Sequence, residues 1–254
     1  MIRGMATDDR LLKVLRALNA IGPCTILDLY RATGISRQAI YRVAESLIRH
    51  GYVARIPGDS RIRLTSEVRA LSAGYRDDDR IVESGAPILE RLQRDIRWPT
   101  SLATPDRDKM VVRETTRHRS PFVFDTGTVG IRLPMLRSSL GLAYVSFCAR
   151  STRQIILDLL RKSSDPLDAV ARNAKQAERL LRNTAQRGYA YRQGGIERKT
   201  SSISVPIVTP DDALASICVT FATSAVTQRQ AVAQFLPALR AAASDIATAA
   251  AEQP

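Results

Sequence analysis

Residues 25–53 read TILDLYRATGISRQAIYRVAESLIRHGYV, and this stretch decides the fold of the N-terminal part of the chain. Thr25 and Ser36 are residue types that cap helices, and a helical pattern of apolar residues follows each of them. Gly34 interrupts the first of these helices, and Gly51 ends the second. The stretch therefore predicts a short helix, a tight turn and a longer helix.

The sequence on both sides of this stretch adds one helix before it and a hairpin after it. Residues 8–21 carry leucine and valine at helical spacing and are followed by a Gly-Pro pair that stops a helix. Residues 52–55 and 61–64 alternate as strands around a turn at 57–60. Three helices followed by a hairpin predict a winged helix-turn-helix.

The longer helix presents polar residues where the second helix of such a pair meets the base edges of DNA. Arginine pairs with guanine and glutamine with adenine, and arginines two apart on a hairpin strand reach phosphates. The candidate DNA contacts are Thr25, Ser36, Arg37, Gln38, Tyr41, Arg42, Arg61 and Arg63. The alternative is a winged-helix adaptor that binds protein and does not regulate DNA directly.

Basic residues are concentrated in the same segment. The 254-residue chain has 38 Lys and Arg against 25 Asp and Glu, a formal net charge of +13. Residues 1–75 hold 12 of the basic and 6 of the acidic residues, so their net charge per residue is about twice that of the remainder. Nearly all of this charge is arginine, whose planar fork suits phosphate, and double-stranded DNA is the predicted partner.

Several classes of protein are disfavoured by the composition. No apolar run approaches the roughly 20 residues of a membrane-spanning helix, and the N-terminus does not resemble a signal peptide. Three widely separated cysteines and only two histidines match neither a metal site nor a catalytic triad. We therefore expect a cytoplasmic protein that is not an enzyme, contacts no membrane, and holds no metal or other cofactor.

The rest of the chain alternates helical and strand patterns, which predicts a second, α/β domain and an α+β protein of two domains. The first helix of this second part has an apolar helical pattern that runs from 81 to about 97. We expect the helix to begin only near Ser84, because Pro87 fits best in a first turn. The other expected elements are strands at 101–104, 110–115, 190–192, 203–208 and 214–221, and helices at 138–148, 155–160 (capped by Ser151), 167–187 and from 227 onward.

Seven short motifs lie across nearly the whole chain: TILDL (25–29), TGIS (33–36), AIYRV (39–43), LIRHGYV (47–53), LPMLRSSLGLA (133–143), RGY (187–189) and SISVPI (202–207). Together they resemble the IclR-type transcriptional regulators, in which 133–143 corresponds to a proline-started helix. The resemblance implies a winged helix-turn-helix at 1–75, a helical linker at 76–98 and a GAF-like effector-binding domain at 99–254. The segment 197–200 and Leu142 depart from the family pattern near the expected ligand pocket.

Polar residues interrupt the apolar segments of the second domain. A helix start with serine hydroxyls and free N–H groups suits a carboxylate, although each serine alone is as well explained as a helix cap. Polar residues two apart on a strand share a face, although each alone is as well explained as an ordinary buried residue. By resemblance, the strand positions match those that contact small carboxylic effectors in the family. The candidate ligand-binding residues are Ser138, Ser139, Ser202, Cys218 and Thr220, with Arg113 and Arg132 as candidates for neutralising an acid.

The predicted function is ligand-responsive transcriptional regulation of a catabolic operon in response to a small organic acid. An aromatic acid is favoured because the run from 133 to 148 is most similar to members that control aromatic-acid catabolism. A homodimer or tetramer places two recognition helices about one DNA turn apart on a pseudo-palindromic operator. The linker helix, rich in Ile, Val and Leu, is the expected dimerisation element.

Overall fold

The computed structural model describes residues 7–71, 80–120, 122, 129–194, 199–209 and 212–252. The chain divides into two compact units, Met1–Arg76 and Asp77–Pro254. Each unit has its own hydrophobic core.

The first unit is a three-helix bundle with a hairpin. Its elements are α1 (Thr7–Ile21), α2 (Ile26–Thr33), α3 (Arg37–Arg49), β1 (Val53–Arg55), β2 (Ile62–Leu64) and the short α4 (Glu67–Ala70). Val14 and Leu18 of α1, Leu29 of α2 and Ile40 of α3 are fully or almost fully buried. These residues recur at helical spacing, so each helix buries one stripe against the others.

The hairpin follows the three helices and pairs with one further residue, Cys24, through an isolated β-bridge. β1 and β2 pair antiparallel, and Cys24 exchanges two backbone hydrogen bonds with Ile62 on the far side of β2. Burial raises the pKa of the Cys24 thiol to about 11. The unit is a winged helix-turn-helix, as the sequence predicts.

The second unit is a six-stranded antiparallel sheet with helices on both faces. The strand order is β5-β4-β3-β8-β7-β6. The strands are β3 (Thr100–Asp106), β4 (Lys109–Thr115), β5 (Arg132–Pro134), β6 (Ala190–Gln193), β7 (Thr200–Val208) and β8 (Ala213–Ala222). The helices are α5 (Arg80–Ile96), α6 (Ser139–Phe147), α7 (Arg150–Lys162), α8 (Ala174–Arg187) and α9 (Gln228–Glu252).

The sheet separates two hydrophobic clusters. On one face, Ile203 of β7 and Ile217 of β8 pack with α5 and α9. On the other face lie α6, α7 and α8, and β8 contributes Ala213 and Cys218 to that cluster. Strand residues alternate between faces, so apolar side chains of β7 and β8 go to the first cluster and the polar ones between them face α6.

The helix α5 differs from its expected form. It begins at Arg80, not near Ser84, and holds Pro87 in its interior. Its apolar residues are buried in the core of the second unit. The apolar stripe is therefore covered within a single chain, and dimerisation through this helix stays a prediction.

Three other boundaries also differ. The expected helix at 167–187 is a 3₁₀ segment, Pro166–Arg172, followed by α8, because Asn173 caps a new helix by accepting a hydrogen bond from Gln176 N. Ser151 does not cap α7, since that helix already begins at Arg150. The proline-started helix at 133–143 begins later, since Pro134 lies in β5 and Ser138 caps α6.

No helix in the described ranges is long and apolar enough to cross a membrane.

Candidate functional site

The N-terminal half of α3 presents a polar face to solvent. Arg37, Gln38, Tyr41 and Arg42 are exposed, at positions that lie side by side on a helix. The opposite stripe of α3, which includes Ile40, is buried in the bundle. The helix can therefore enter a groove with its polar face without disturbing the core.

Two of the predicted contacts also build the helices that carry the face. Thr25 Oγ1 accepts a hydrogen bond from Asp28 N at 3.2 Å, and the Asp28 carboxylate accepts from Thr25 N at 3.0 Å, which forms a capping box. The Asp28 carboxylate also accepts from the Thr25 hydroxyl at 2.7 Å, and this hydrogen bond, followed by the one from Thr25 N, lowers the pKa of Asp28. Ser36 caps α3 by accepting from Ala39 N, and Gly34 ends α2 with φ +69°, a conformation that favours glycine.

The guanidinium group of Arg37 is oriented by an aromatic ring. Its Cζ lies 5.7 Å from the centroid of Tyr30, within the range of a cation–π contact. Such a contact limits the rotamers of Arg37 before any DNA arrives.

The two hairpin arginines are exposed on either side of buried Ile62 but differ in their partners. Arg61 pairs with Asp59 in the turn, with Nε 2.5 Å from Oδ2, and this hydrogen bond lowers the pKa of Asp59. Arg63 has no ion-pair partner in the part of the chain that the structure describes. Arg63 is therefore the cation of the wing whose charge is not already neutralised.

The structure adds a cation that the sequence interpretation missed. Arg10 of α1 lines the shallow grooves beside Ser36 and Arg42 at the start of α3. The amphipathic pattern of α1 places Arg10 on its polar face, but only the packing of α1 on α3 brings it to this end of the helix.

In the second unit, one cavity of about 60 Å³ gathers all five predicted ligand residues. Ser138 and Ser139 enter from the start of α6, Ser202 from β7, and Cys218 and Thr220 from β8. These three elements meet because α6 lies across the polar face of β7 and β8.

The hydroxyl groups around this cavity form a hydrogen-bonded chain. Ser139 Oγ lies 2.7 Å from Ser202 Oγ and accepts from Ser204 Oγ at 2.9 Å. Arg192 Nε donates to Ser202 Oγ at 3.2 Å, so a guanidinium group adjoins the chain. Ser138 Oγ is engaged in the cap of α6, where it accepts from Gly141 N at 3.0 Å.

The cations at the cavity are not the expected ones. Arg117 and Arg192 line it. Arg132 instead pairs with Asp106 at the exposed edge of the sheet, and neither it nor Arg113 is among the lining residues. These two arginines do not line the cavity because they alternate along their strands with residues that do: Arg132 lies between Ile131 and Leu133, and Arg113 follows Val112.

No group of three or more His, Cys, Asp or Glu within the described ranges is placed to hold a metal ion.

Comparison with known proteins identifies the family. The family model for the C-terminal domain of the bacterial transcriptional regulator IclR matches residues 73–248, and the MarR family model matches residues 12–62. The chain belongs to the IclR family.

The relatives of this IclR-family chain are regulators at modest identity. The HTH-type transcriptional regulator TsaQ1/TsaQ2 of Comamonas testosteroni is 24% identical over 71% of this chain and 64% of its own length. The Pca regulon regulatory protein of Pseudomonas putida is 26% identical over 87% of this chain and 76% of its own length. An IclR homologue of Microbacterium hydrocarbonoxydans, solved with 4-hydroxybenzoate, is 22% identical, with a TM-score of 0.60 over 98% of this chain and 100% of its own.

Other residues of this IclR-family cavity were missed from the sequence. They are Ser101, Thr115, Arg117 and Arg192, which line it, and Ser204, which completes the hydroxyl chain. Ser204 carries a usable signal, because serine at 202 and 204 alternates with isoleucine and valine along β7. The pairing of β6 with β7, which sets Arg192 opposite Ser202, is not readable from local sequence.

Proposed function

We propose that this chain is a transcriptional regulator that binds operator DNA through α3 and the wing and responds to a small carboxylic acid bound in the second unit. The observation that carries the proposal is the exposed face of Arg37, Gln38, Tyr41 and Arg42 on a helix whose other stripe is buried. Thr25 and Ser36 lie at the helix starts beside it, and Arg61 and Arg63 supply contacts from the wing. A homodimer or tetramer on a pseudo-palindromic operator matches this geometry.

The proposed effector is an organic acid. Hydroxyl groups and the start of α6 suit a carboxylate, and Arg117 and Arg192 give the cavity a positive charge. The 4-hydroxybenzoate in the Microbacterium homologue favours an aromatic acid, and the Pseudomonas relative, a Pca regulon regulatory protein, favours control of a group of genes. About 60 Å³ holds roughly four to six water-sized groups, so a benzene ring requires the lining side chains to move apart.

The remaining parts of the proposal concern organisation. We assign residues 1–75 to DNA binding, 76–98 to a helical linker and 99–254 to effector binding, in a cytoplasmic protein without catalytic activity. Burial raises the pKa of the Cys148 thiol, which supports the last point because a neutral thiol is a poor nucleophile.

DNA binding is tested by gel shift of the full chain on the promoter region of its own gene at several salt concentrations. Arg37→Ala and Arg42→Ala should each weaken binding about 10- to 100-fold, the value of one bidentate base contact. Arg63→Gln should lower the slope of log affinity against log salt by about 0.9 for each phosphate that Arg63 neutralises.

Arg49→Gln is the matched control, because Arg49 is the last residue of the same helix, about 18 Å from its start. Equal effects of Arg49→Gln and Arg37→Ala would show that only overall charge matters. Binding insensitive to salt and to Arg37→Ala and Arg42→Ala would favour the adaptor function instead.

Effector binding is tested by thermal shift of the full chain with propionate and with 4-hydroxybenzoate. Stabilisation by either acid should be reduced in Ser139→Ala and retained in Ser151→Ala, an exposed serine at the start of α7. Stabilisation by propionate alone would show that the cavity keeps its present size. No stabilisation by either acid would count against the cavity as an effector site.

A further inference from the structure

A second groove in the effector-binding unit lies between α7 and α8, with a volume of about 460 Å³. Arg150, Arg153 and Leu157 line it from α7, and Leu181 and Arg182 line it from α8. These positions recur at helical spacing on each helix, so the groove is a continuous channel between two helix faces. Ser146 of α6 also lines it.

The charge of this groove is strongly positive. Of the nine lining residues three are arginines and one, Glu178, is acidic. Arg150 and Arg182 are exposed and have no ion-pair partner among the residues that the structure describes. The groove therefore offers guanidinium groups that are not already neutralised.

Arg153 is held in place by backbone carbonyl groups. Its Nε donates to Val145 O at 2.9 Å, and its Nη2 donates to Ser146 O and Cys148 O at 3.0 Å each. These bonds leave Nη1 without a hydrogen-bond partner in the described ranges. A guanidinium group fixed in this way binds an anion with little further loss of side-chain entropy.

Ser146 supplies an independent sign of a missing partner. The residue is 5% exposed, and its hydroxyl is buried without a hydrogen bond to any described residue. A buried hydroxyl in this state is costly unless something bonds to it.

The start of α7 adjoins this groove, which Arg150 lines. Its N-cap, Ala149, provides no side-chain cap, and the first turn has no acidic residue but begins with Arg150. Backbone N–H groups at a helix start favour an anion, and Asp212 already supplies one, since its Oδ1 accepts a hydrogen bond from Ala149 N at 2.6 Å. The arginines and Ser146 are therefore the groups that remain for a bound anion.

We propose that the groove between α7 and α8 binds a phosphate monoester, with the phosphate among Arg150, Arg153, Arg182 and Ser146 and the organic part over Leu157 and Leu181. The three arginines exceed the single acidic residue, Glu178, by two positive charges, and this excess favours a dianion over a monocarboxylate. A phosphate monoester also presents three terminal oxygens in a tetrahedral arrangement, so it can accept hydrogen bonds from guanidinium groups on several sides, whereas the two oxygens of a carboxylate lie in one plane. The site is separate from the effector cavity, since it adjoins the end of α6 and the cavity adjoins its start.

The test is isothermal titration calorimetry of the full chain with inorganic phosphate, phenyl phosphate and acetate at constant ionic strength. We expect saturable binding of phenyl phosphate at one site per chain, weaker binding of inorganic phosphate, and no acetate binding that depends on Arg150 and Arg182. Tighter binding of inorganic phosphate than of phenyl phosphate, or acetate binding of equal affinity that is lost in the variant without Arg150 and Arg182, would overturn the assignment to a monoester.

Variants locate the site. The double change Arg150→Gln and Arg182→Gln should weaken phenyl phosphate at least tenfold, and Arg179→Gln, an exposed arginine of α8 outside the groove, should leave it unchanged. Ser146→Ala should weaken binding several-fold without lowering the melting temperature of the ligand-free protein, since it removes an unsatisfied hydroxyl. Unchanged affinity in the double variant or in Ser146→Ala overturns the proposal.

Discussion

Gly141 illustrates how a single residue fixes the cavity wall at the start of α6. A Cβ atom at this position would lie 2.3 Å from the carbonyl oxygen of Met135 and 2.5 Å from its Cα. Backbone atoms cannot move aside as the end of a side chain can, so only glycine lets α6 approach this closely. The positions of Ser138 and Ser139 depend on that approach.

Gly141→Ala is therefore expected to lower the free energy of unfolding by about 2 to 3 kcal/mol, the upper part of the usual cost of overpacking. Gly85→Ala is the matched control, because its added Cβ would meet the flexible end of Leu102 and alanine also gains about 1 kcal/mol in a helix interior. Urea denaturation of both variants measures the difference. Equal stability of the two would contradict the importance of the backbone contact.

Thr25 and Arg61 show the limit of sequence reasoning at single residues. Both are residue types that contact phosphate, and both are found near the predicted DNA face. Their side chains nevertheless bond first to Asp28 and Asp59 of the same unit. Local sequence identifies which polar residues lie near the site. It does not show which of their side chains are already hydrogen-bonded within the unit.

At the level of elements, β4 is tied to the 3₁₀ segment before α8 by a cluster around Lys109. Lys109 Nζ lies 2.9 Å from Asp165 Oδ2 and 3.0 Å from Asp168 Oδ2, and the side chain of Asp168 is 0% exposed. Burial lowers the pKa of Lys109, but the hydrogen bonds that Lys109 donates to the two carboxylates outweigh this effect, and the net shift of the pKa is upward. The hydrogen bonds from Leu167 N and Lys109 lower the pKa of Asp165.

Lys109→Met should reduce the free energy of unfolding by about 3 kcal/mol, the low end for breaking a buried pair, because Lys109 and Asp165 are partly exposed. The difference from wild type should hold at neutral pH. It should shrink as pH falls below the ordinary value of 3.8 for Asp165, and as it rises past 10.5 for Lys109. Denaturation across pH measures this, with the exposed Lys175→Met as control. A pH-independent difference would contradict the role of the charges.

The elements themselves were predicted unevenly, for physical reasons. Helices and strands with strong periodicity, such as α3, β7 and β8, lie close to their predicted bounds. The three-residue strand β5 was missed because its pairing with β4 is non-local. Pro87 did not delay the start of α5, since burial of Ile81 and Val82 in the core stabilises the turn before it.

At the level of the whole molecule, the second unit has two hydrophobic clusters, one on each face of the same sheet. Leu89 of α5 belongs to the cluster on one face and Leu160 of α7 to the cluster on the other, and both are fully buried. The sheet lies between them, so they have no packing neighbour in common.

Leu89→Ala and Leu160→Ala should each cost about 2 to 5 kcal/mol through the cavity left behind. Because the sites are separated, the double variant should equal the sum of the single variants within about 0.5 kcal/mol. Chemical denaturation of the three variants tests this. A coupling energy well above that value would show that strain passes through the sheet.

The separation of the two clusters also bears on how such a sensor changes over evolutionary time. The proposed effector cavity and the groove between α7 and α8 both adjoin α6, whereas α5 and α9 pack on the opposite face of the sheet. A lineage can therefore exchange residues around the cavity and acquire a new inducer while the far cluster continues to maintain folding. Substitutions that change ligand specificity on one face of the sheet therefore have little effect on the stability that the cluster on the other face provides.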